Sequence, residues 1–197
     1  MALITLPALK AAQVTMRLIR ADHAMASMAG NEFIVKTNVA NWAISIVVPP
    51  QRIDVARPLQ SALARLSDLS NTFQLTPPDW VNGVSYGGAN PLVFGTGQLG
   101  STLFVDGLPN NAPIMKDGDY FTVNGEFKMT TSDTTSTGTG TAAINFTPAL
   151  RQPPADNAVV DVKTPKVTLR LIEPVATWVS KLPSFYTINI DAIETYG

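Results

Sequence analysis

The sequence has no cysteine, a single histidine, and charged side chains at only 15% of its 197 positions. The missing thiols exclude disulfides, thiolate nucleophiles and thiolate zinc sites, so stability must come from packing, and the chain suits a reducing cytoplasm. The one imidazole, His23, stands in Asp22-His23-Ala24-Met25 without neighbouring ligands. It reads as a surface or interface residue, and acid-base or metal chemistry that draws on histidine has little to work with. Fourteen basic against fifteen acidic residues give a formal charge of -1, which offers no electrostatic footprint for phosphate. Direct, sequence-specific binding of nucleic acid is therefore not expected. No apolar run approaches the roughly 20 residues of a spanning helix, and Met1 to Met16 lacks a basic stretch followed by a long apolar one. The expectation is a chain neither exported by the usual signal nor embedded in a membrane.

What the chain has instead is bulk and hydroxyls. A hydrophobic fraction of 45% is ample for a core, and Thr, Ser, Asn, Gly and Pro supply an uncharged polar exterior suited to subunit contacts. Strand patterns recur at Leu3 to Leu6, Gln13 to Arg20, Phe33 to Lys36 and Trp42 to Val48. In the second, Val14, Met16 and Leu18 share one parity, the mark of a half-buried strand. In the last, Ile44, Ile46 and Val48 alternate with Ser45 and Val47 until Pro49-Pro50, which cannot donate ladder hydrogen bonds and is expected to close the strand.

From Asp54 to about Leu69 the period changes. Val55, Leu59, Ala62, Leu63, Leu66 and Leu69 recur at three- and four-residue spacing and trace one helical stripe, with Asp54 as a candidate cap and Pro58 awkward near the start. Phe73 to Leu75 is a short strand. Pro77-Pro78 and the glycines from Val81 to Gly97 then mark a linker.

Beyond it lie strands near Ser101 to Val105, Tyr120 to Val123, Glu126 to Thr130 and Ala142 to Phe146, with Asn124-Gly125 predicting a type I′ hairpin turn. Asp133 to Thr141, DTTSTGTGT, has little bulk for apolar anchoring and is expected to be a mobile loop or hairpin tip. Alternation resumes at Val167, Leu169 and Leu171 and again at Ile188 and Ile190. The fold class expected is mainly β: a β-sandwich domain with one α-helix over residues 1–80 and 165–197, and a small β-barrel-like or β-sandwich module inserted at residues 81–164.

Tests for chemistry fail one after another. Asp117/Asp119 and Asp54/Asp68 are the carboxylate pairs available for glycoside hydrolysis, but turn and helix spacing give neither pair a shared cleft, and Asp117-Gly118-Asp119 reads as a β-turn. Gly95-Thr96-Gly97 lacks the Lys-Ser/Thr of a phosphate-binding loop and leads into no helix. Asp133 is one carboxylate among nine residues, too few for calcium. Trp42, Trp80, Tyr86, Trp178, Phe185 and Tyr186 read as core or interface anchors, with a sugar-stacking platform as the other use of such rings. No catalytic, cofactor-binding or metal-ligating residue is expected, and hence no enzyme.

Two stretches resemble a known family. Ile44 to Leu75 has a strand ended by a double proline, a helix, and a closing T-F-x-L strand. Gly95 to Val160 has a G-x-G-Q-x-G-S-T-L opening, a K-x-G-D-Y-x-x-V-N-G hairpin and a P-A-L-R-x-x-P-A-D-N-A ending. Together they resemble the distal tail (Dit-like) proteins at the tail tip of long-tailed bacteriophages. The resemblance implies a virion protein made in the host bacterial cytoplasm. It also implies a ring of copies of itself, commonly a homohexamer, joining the tail tube protein to the hub and receptor-binding apparatus. The rival expectation is a carbohydrate-binding module recognising host surface glycans through Trp80 and Tyr86.

Overall fold

The computed structural model describes residues 2–7, 13–26, 31–35, 37, 39–77, 80, 88–181 and 185–196. Over these residues the protein is mainly β, a β-sandwich with one helix plus a barrel-like module. The first strands are β1 (Gln13–Arg20), β2 (His23–Ala26), β3 (Glu32–Val35) and β4 (Ala40–Arg52), followed by helix α1 (Ile53–Leu66) and β5 (Phe73–Leu75). The middle of the chain forms β6 (Leu92–Val93), β7 (Gly100–Asp106), β8 (Pro113–Met115), β9 (Tyr120–Val123), β10 (Glu126–Thr130), β11 (Thr134–Thr135), β12 (Ala142–Leu150) and β13 (Val160–Asp161). The chain closes with β14 (Val167–Leu171), β15 (Trp178–Lys181) and β16 (Phe185–Glu194). By spatial proximity it divides into two units: residues 1–19, 41–75 and 168–197, and residues 20–40 and 76–167. The stretch 20–40, expected with the first unit, belongs to the second. There Arg20 donates to the Thr147 hydroxyl at 2.6 Å, and Arg151 donates to the Ala40 carbonyl at 2.8 Å.

The first unit is a sheet in the order β1-β4-β16-β14-β5, with β15 also paired to β16. Ile44, Ile46 and Val48 of β4, Ile188 and Ile190 of β16, and Leu169 and Leu171 of β14 are all buried, as period-two alternation requires. Helix α1 supplies Ala56, Leu59, Ala62, Leu63 and Leu66 to the core. Two expected stripe members fall away. Val55 is 51% exposed, and Leu69 lies beyond the helix, which ends at Leu66 with the Ser67 N–H bonded to Leu63. Asp54 is not the cap either; that position is Arg52, and Asp54 sits in the first turn, where its charge meets the positive end of the helix dipole. Pro58 stays inside the helix.

Strand β4 also corrects an expectation, for it continues through Pro49-Pro50 to Arg52. The register explains how. Ile188 faces Val48 while Tyr186 faces Gln51, so β4 holds one extra residue at the prolines. A bulge leaves ladder positions unpaired, and residues that lack an N–H lose nothing there.

The second unit is built on a six-stranded sheet in the order β13-β9-β10-β12-β7-β6. Its two ends meet: Leu92 bridges Val159, the Val93 N–H donates to Ala158 at 2.9 Å, and the Val160 N–H donates to Pro91 at 2.9 Å. The result is a nearly closed barrel filled by Val93, Leu103, Val105, Phe121, Val123, Ile144, Phe146 and Val160 among others. Asn124 and Gly125 have φ of 50° and 75° and set Glu126 opposite Val123, the geometry of a type I′ turn.

Of the two expectations for the hydroxyl-rich segment, a mobile loop or a hairpin tip, the second is closer: the Thr137 N–H donates to Thr141 at 2.7 Å across a tight turn, and the segment is tied down. Thr134–Thr135 forms β11 against β8, and Ser136 is buried, its hydroxyl donating to the Pro109 carbonyl while it accepts the Ala112 N–H at 2.9 Å. Hydrogen bonds replace the apolar anchor that the composition lacks. Gly140 is packed tightly, with φ of 74° and the Leu108 carbonyl where a Cβ would stand, whereas Gly138 meets nothing closer than 3.8 Å. Gly140→Ala is expected to cost about 1–3 kcal/mol, and Gly138→Ala to stay within about 0.5 kcal/mol. Urea unfolding of the two variants checks the contrast.

Candidate functional site

The carboxylate pairs singled out in the sequence are not brought together for catalysis. Asp54 opens α1 and Asp68 follows its end, and fourteen residues of helix put about 20 Å between them. The Asp68 carboxyl accepts the Ser70 N–H at 3.0 Å, and that backbone bond, with the Ser70 hydroxyl, holds it below the usual carboxylate value. Asp117 and Asp119 flank Gly118 in a turn: the Asp119 N–H bonds to Lys116, and the Asp119 carboxylate accepts the Lys116 N–H at 2.7 Å. Asp133 accepts the Asp117 N–H at 2.9 Å. These acids fix turns.

The Gly95-Thr96-Gly97 loop leads into strand β7 and is stitched from within. Gly95 donates its N–H to Asp156 at 2.8 Å, and the Gln98 side chain donates to Phe94 and accepts the Phe104 N–H at 2.7 Å. His23 lies exposed on β2, opposite Val35. Among the described residues no three His, Asp or Glu side chains gather as a metal site.

The described aromatic residues stand in different settings. Trp42 is buried in β4, and Trp80 is wedged in the barrel unit, its indole N–H donating to the Lys163 carbonyl at 3.0 Å and its ring 6.3 Å from Tyr120. Tyr86 and the stretch 81–87 lie outside the described residues. Trp178 and Phe185 are 41% and 45% exposed, but Trp178 pairs with Ile188, three residues from Phe185, so strand alternation sends the two rings to opposite faces.

Two polar features escaped the sequence reading. The first is a groove of about 370 Å³ in the first unit, where Glu173 and Asp191 stand with Asn189 and Thr177 beside the apolar Leu63 and Leu171. The antiparallel pairing of Leu171 with Ala192 brings these carboxylates, eighteen positions apart, to one place. Such a rim accepts hydrogen bonds from amides or hydroxyls, or seats a basic side chain. The second is an ion pair inside the barrel: Lys128, 0% exposed, donates to Glu126 at 2.6 Å and to the Ala149 carbonyl at 2.9 Å. Glu126 also accepts the N–H groups of Arg151 and Gln152 at 3.1 and 3.2 Å. A signal for this pair existed. The Asn-Gly turn puts Glu126 opposite Val123 and Lys128 opposite Phe121, so both charges share a face with core residues. Every partner of Glu126 and Lys128 named here is a group of the protein itself, and the pair's role is to hold β10 against the β12 end of the barrel.

No protein-family model matches the chain, and no curated protein matches it.

Proposed function

We propose that this protein is a structural subunit of a phage tail tip, forming a ring of its own copies between the tail tube and the hub with its receptor-binding apparatus. The observation that carries the reading is the kind of surface the strands leave open. Large apolar side chains stand exposed, among them Met25, Phe33 and Ile34 on the β2–β3 ribbon and Val179 on β15, which among the described residues pairs with β16 alone. Free edges and exposed apolar strands are aggregation hazards in a lone chain and are relieved by closed assembly. Of the carboxylates weighed for hydrolysis, Asp68 and Asp119 accept backbone N–H groups of their own turns, which fits a building element better than a catalyst. The resemblance of Ile44 to Leu75 and Gly95 to Val160 to distal tail proteins names the setting, and a homohexamer is the ring order it implies.

The proposal predicts that the chain is part of the particle. Peptide sequencing of purified virions is expected to find it at a few copies per tail, and antibodies against it are expected to decorate the tail end distal to the capsid. Its absence from virions that carry complete tails overturns the reading.

A further inference from the structure

Strands β2 and β3 form a two-stranded ribbon, with no other strand in its sheet among the described residues. Its stem is closed by the Ala21 N–H to Val39 at 3.1 Å and by the Thr37 N–H to the Asp22 carboxylate at 2.8 Å. Every residue of β2 and β3 is exposed. The register places Met25 opposite Phe33 on one face and Ala24 opposite Ile34 on the other. Met25, Phe33 and Ile34 are 62%, 62% and 61% exposed. An isolated two-stranded hairpin is marginal in water, and one that is apolar on both faces needs cover on both.

The same chain carries a second apolar strip. Among the described residues strand β15 pairs with β16 alone, so its outer edge presents backbone groups open to pairing. Trp178 on one face of that edge and Val179 on the other, with Val175 before the strand and Phe185 on the adjoining β16, are between 41% and 57% exposed.

Resting on the ring reading above, we infer that the β2–β3 arm of one copy docks on the β15 edge of the next copy, extending that sheet by β-augmentation. Two considerations select a second copy as the occupant. A ring needs two different, mutually complementary patches on every subunit, and the arm and the β15 strip are two such patches. Taking side-chain areas of about 150–250 Å² for large residues, each patch exposes roughly 400 Å² of apolar surface. The pair thus supplies about 800 Å², the apolar share of an interface of standard size, about 1,200–2,000 Å² in total.

The test uses two full-length variants, Met25→Glu/Phe33→Glu in the arm and Trp178→Glu/Val179→Glu on the edge, with native mass spectrometry as the readout. Because these side chains are exposed, the far-UV spectrum and melting temperature are expected to match the wild type; Met25→Ser/Phe33→Ser serves as a milder arm variant. Each variant alone is expected to be a monomer, and their equimolar mixture is expected to give a dimer that stops at two copies, since one intact arm meets one intact edge. Arm variants that still form the wild-type ring overturn the inference and leave the ring reading standing. An edge variant that still assembles while the arm variant does not overturns the assignment to β15. A wild-type chain that never assembles overturns the ring reading and this inference with it.

Discussion

Glu126→Ala is expected to destabilise the barrel unit by about 3–5 kcal/mol, the range for removing one partner of a buried ion pair. The cause is what stays behind. Lys128 remains 0% exposed with the Ala149 carbonyl 2.9 Å away, and the N–H groups of Arg151 and Gln152 lose the carboxylate that accepts them. Against a total stability of about 5–15 kcal/mol, that is a large fraction. With a urea dependence of about 1–3 kcal/mol per molar, the unfolding midpoint is expected to fall by 1 M or more. The double variant Glu126→Leu/Lys128→Met removes both charges and is expected to lose less than the single one. A loss under about 1 kcal/mol from Glu126→Ala, below the cost of even one unsatisfied buried group, contradicts this account of the pair.

Leu63→Ala is expected to cost the first unit about 2–5 kcal/mol, and Val55→Ala to change stability by less than about 0.5 kcal/mol. Leu63 is 2% exposed on the buried stripe of α1, so truncation leaves a cavity under the helix. Val55 is 51% exposed and has little burial to lose. Both positions fit the apolar period of the sequence equally well, so denaturant unfolding of the two variants separates the observed packing from the periodicity. Equal losses at the two positions contradict the helix orientation described above.

The fold was legible where local chemistry decides it. Strand alternation located β9, β10 and β14 closely and the middle of β4, and Asn124-Gly125 located a hairpin because positive φ at two successive residues favours those residue types. Legibility failed where partners distant in sequence decide. Pro49-Pro50 looks like a strand end, yet an extra residue opposite β16 absorbs it. Asp133 to Thr141 looks like a free loop because it lacks bulk, yet Ser136 and Thr134 are buried through backbone pairing with residues about twenty positions away. Val55 fits a three-to-four spacing, but a helix of 14 residues turns only one stripe inward, and Ala56 takes the inward place. The groove of Glu173 and Asp191 depends on an antiparallel register that spacing cannot give. The exposure of both faces of the β2–β3 arm was hidden for the same reason, since a strand's apolar residues read as core until the absence of a facing layer is seen.

The most direct measurement is electron microscopy of the purified full-length chain at high protein concentration, with class averages examined for rotational symmetry. Closed rings of identical subunits, six copies of a 21.1 kDa chain, are the predicted result. A population that stays monomeric at every concentration, and that neither tube nor hub protein converts into a ring, contradicts the account.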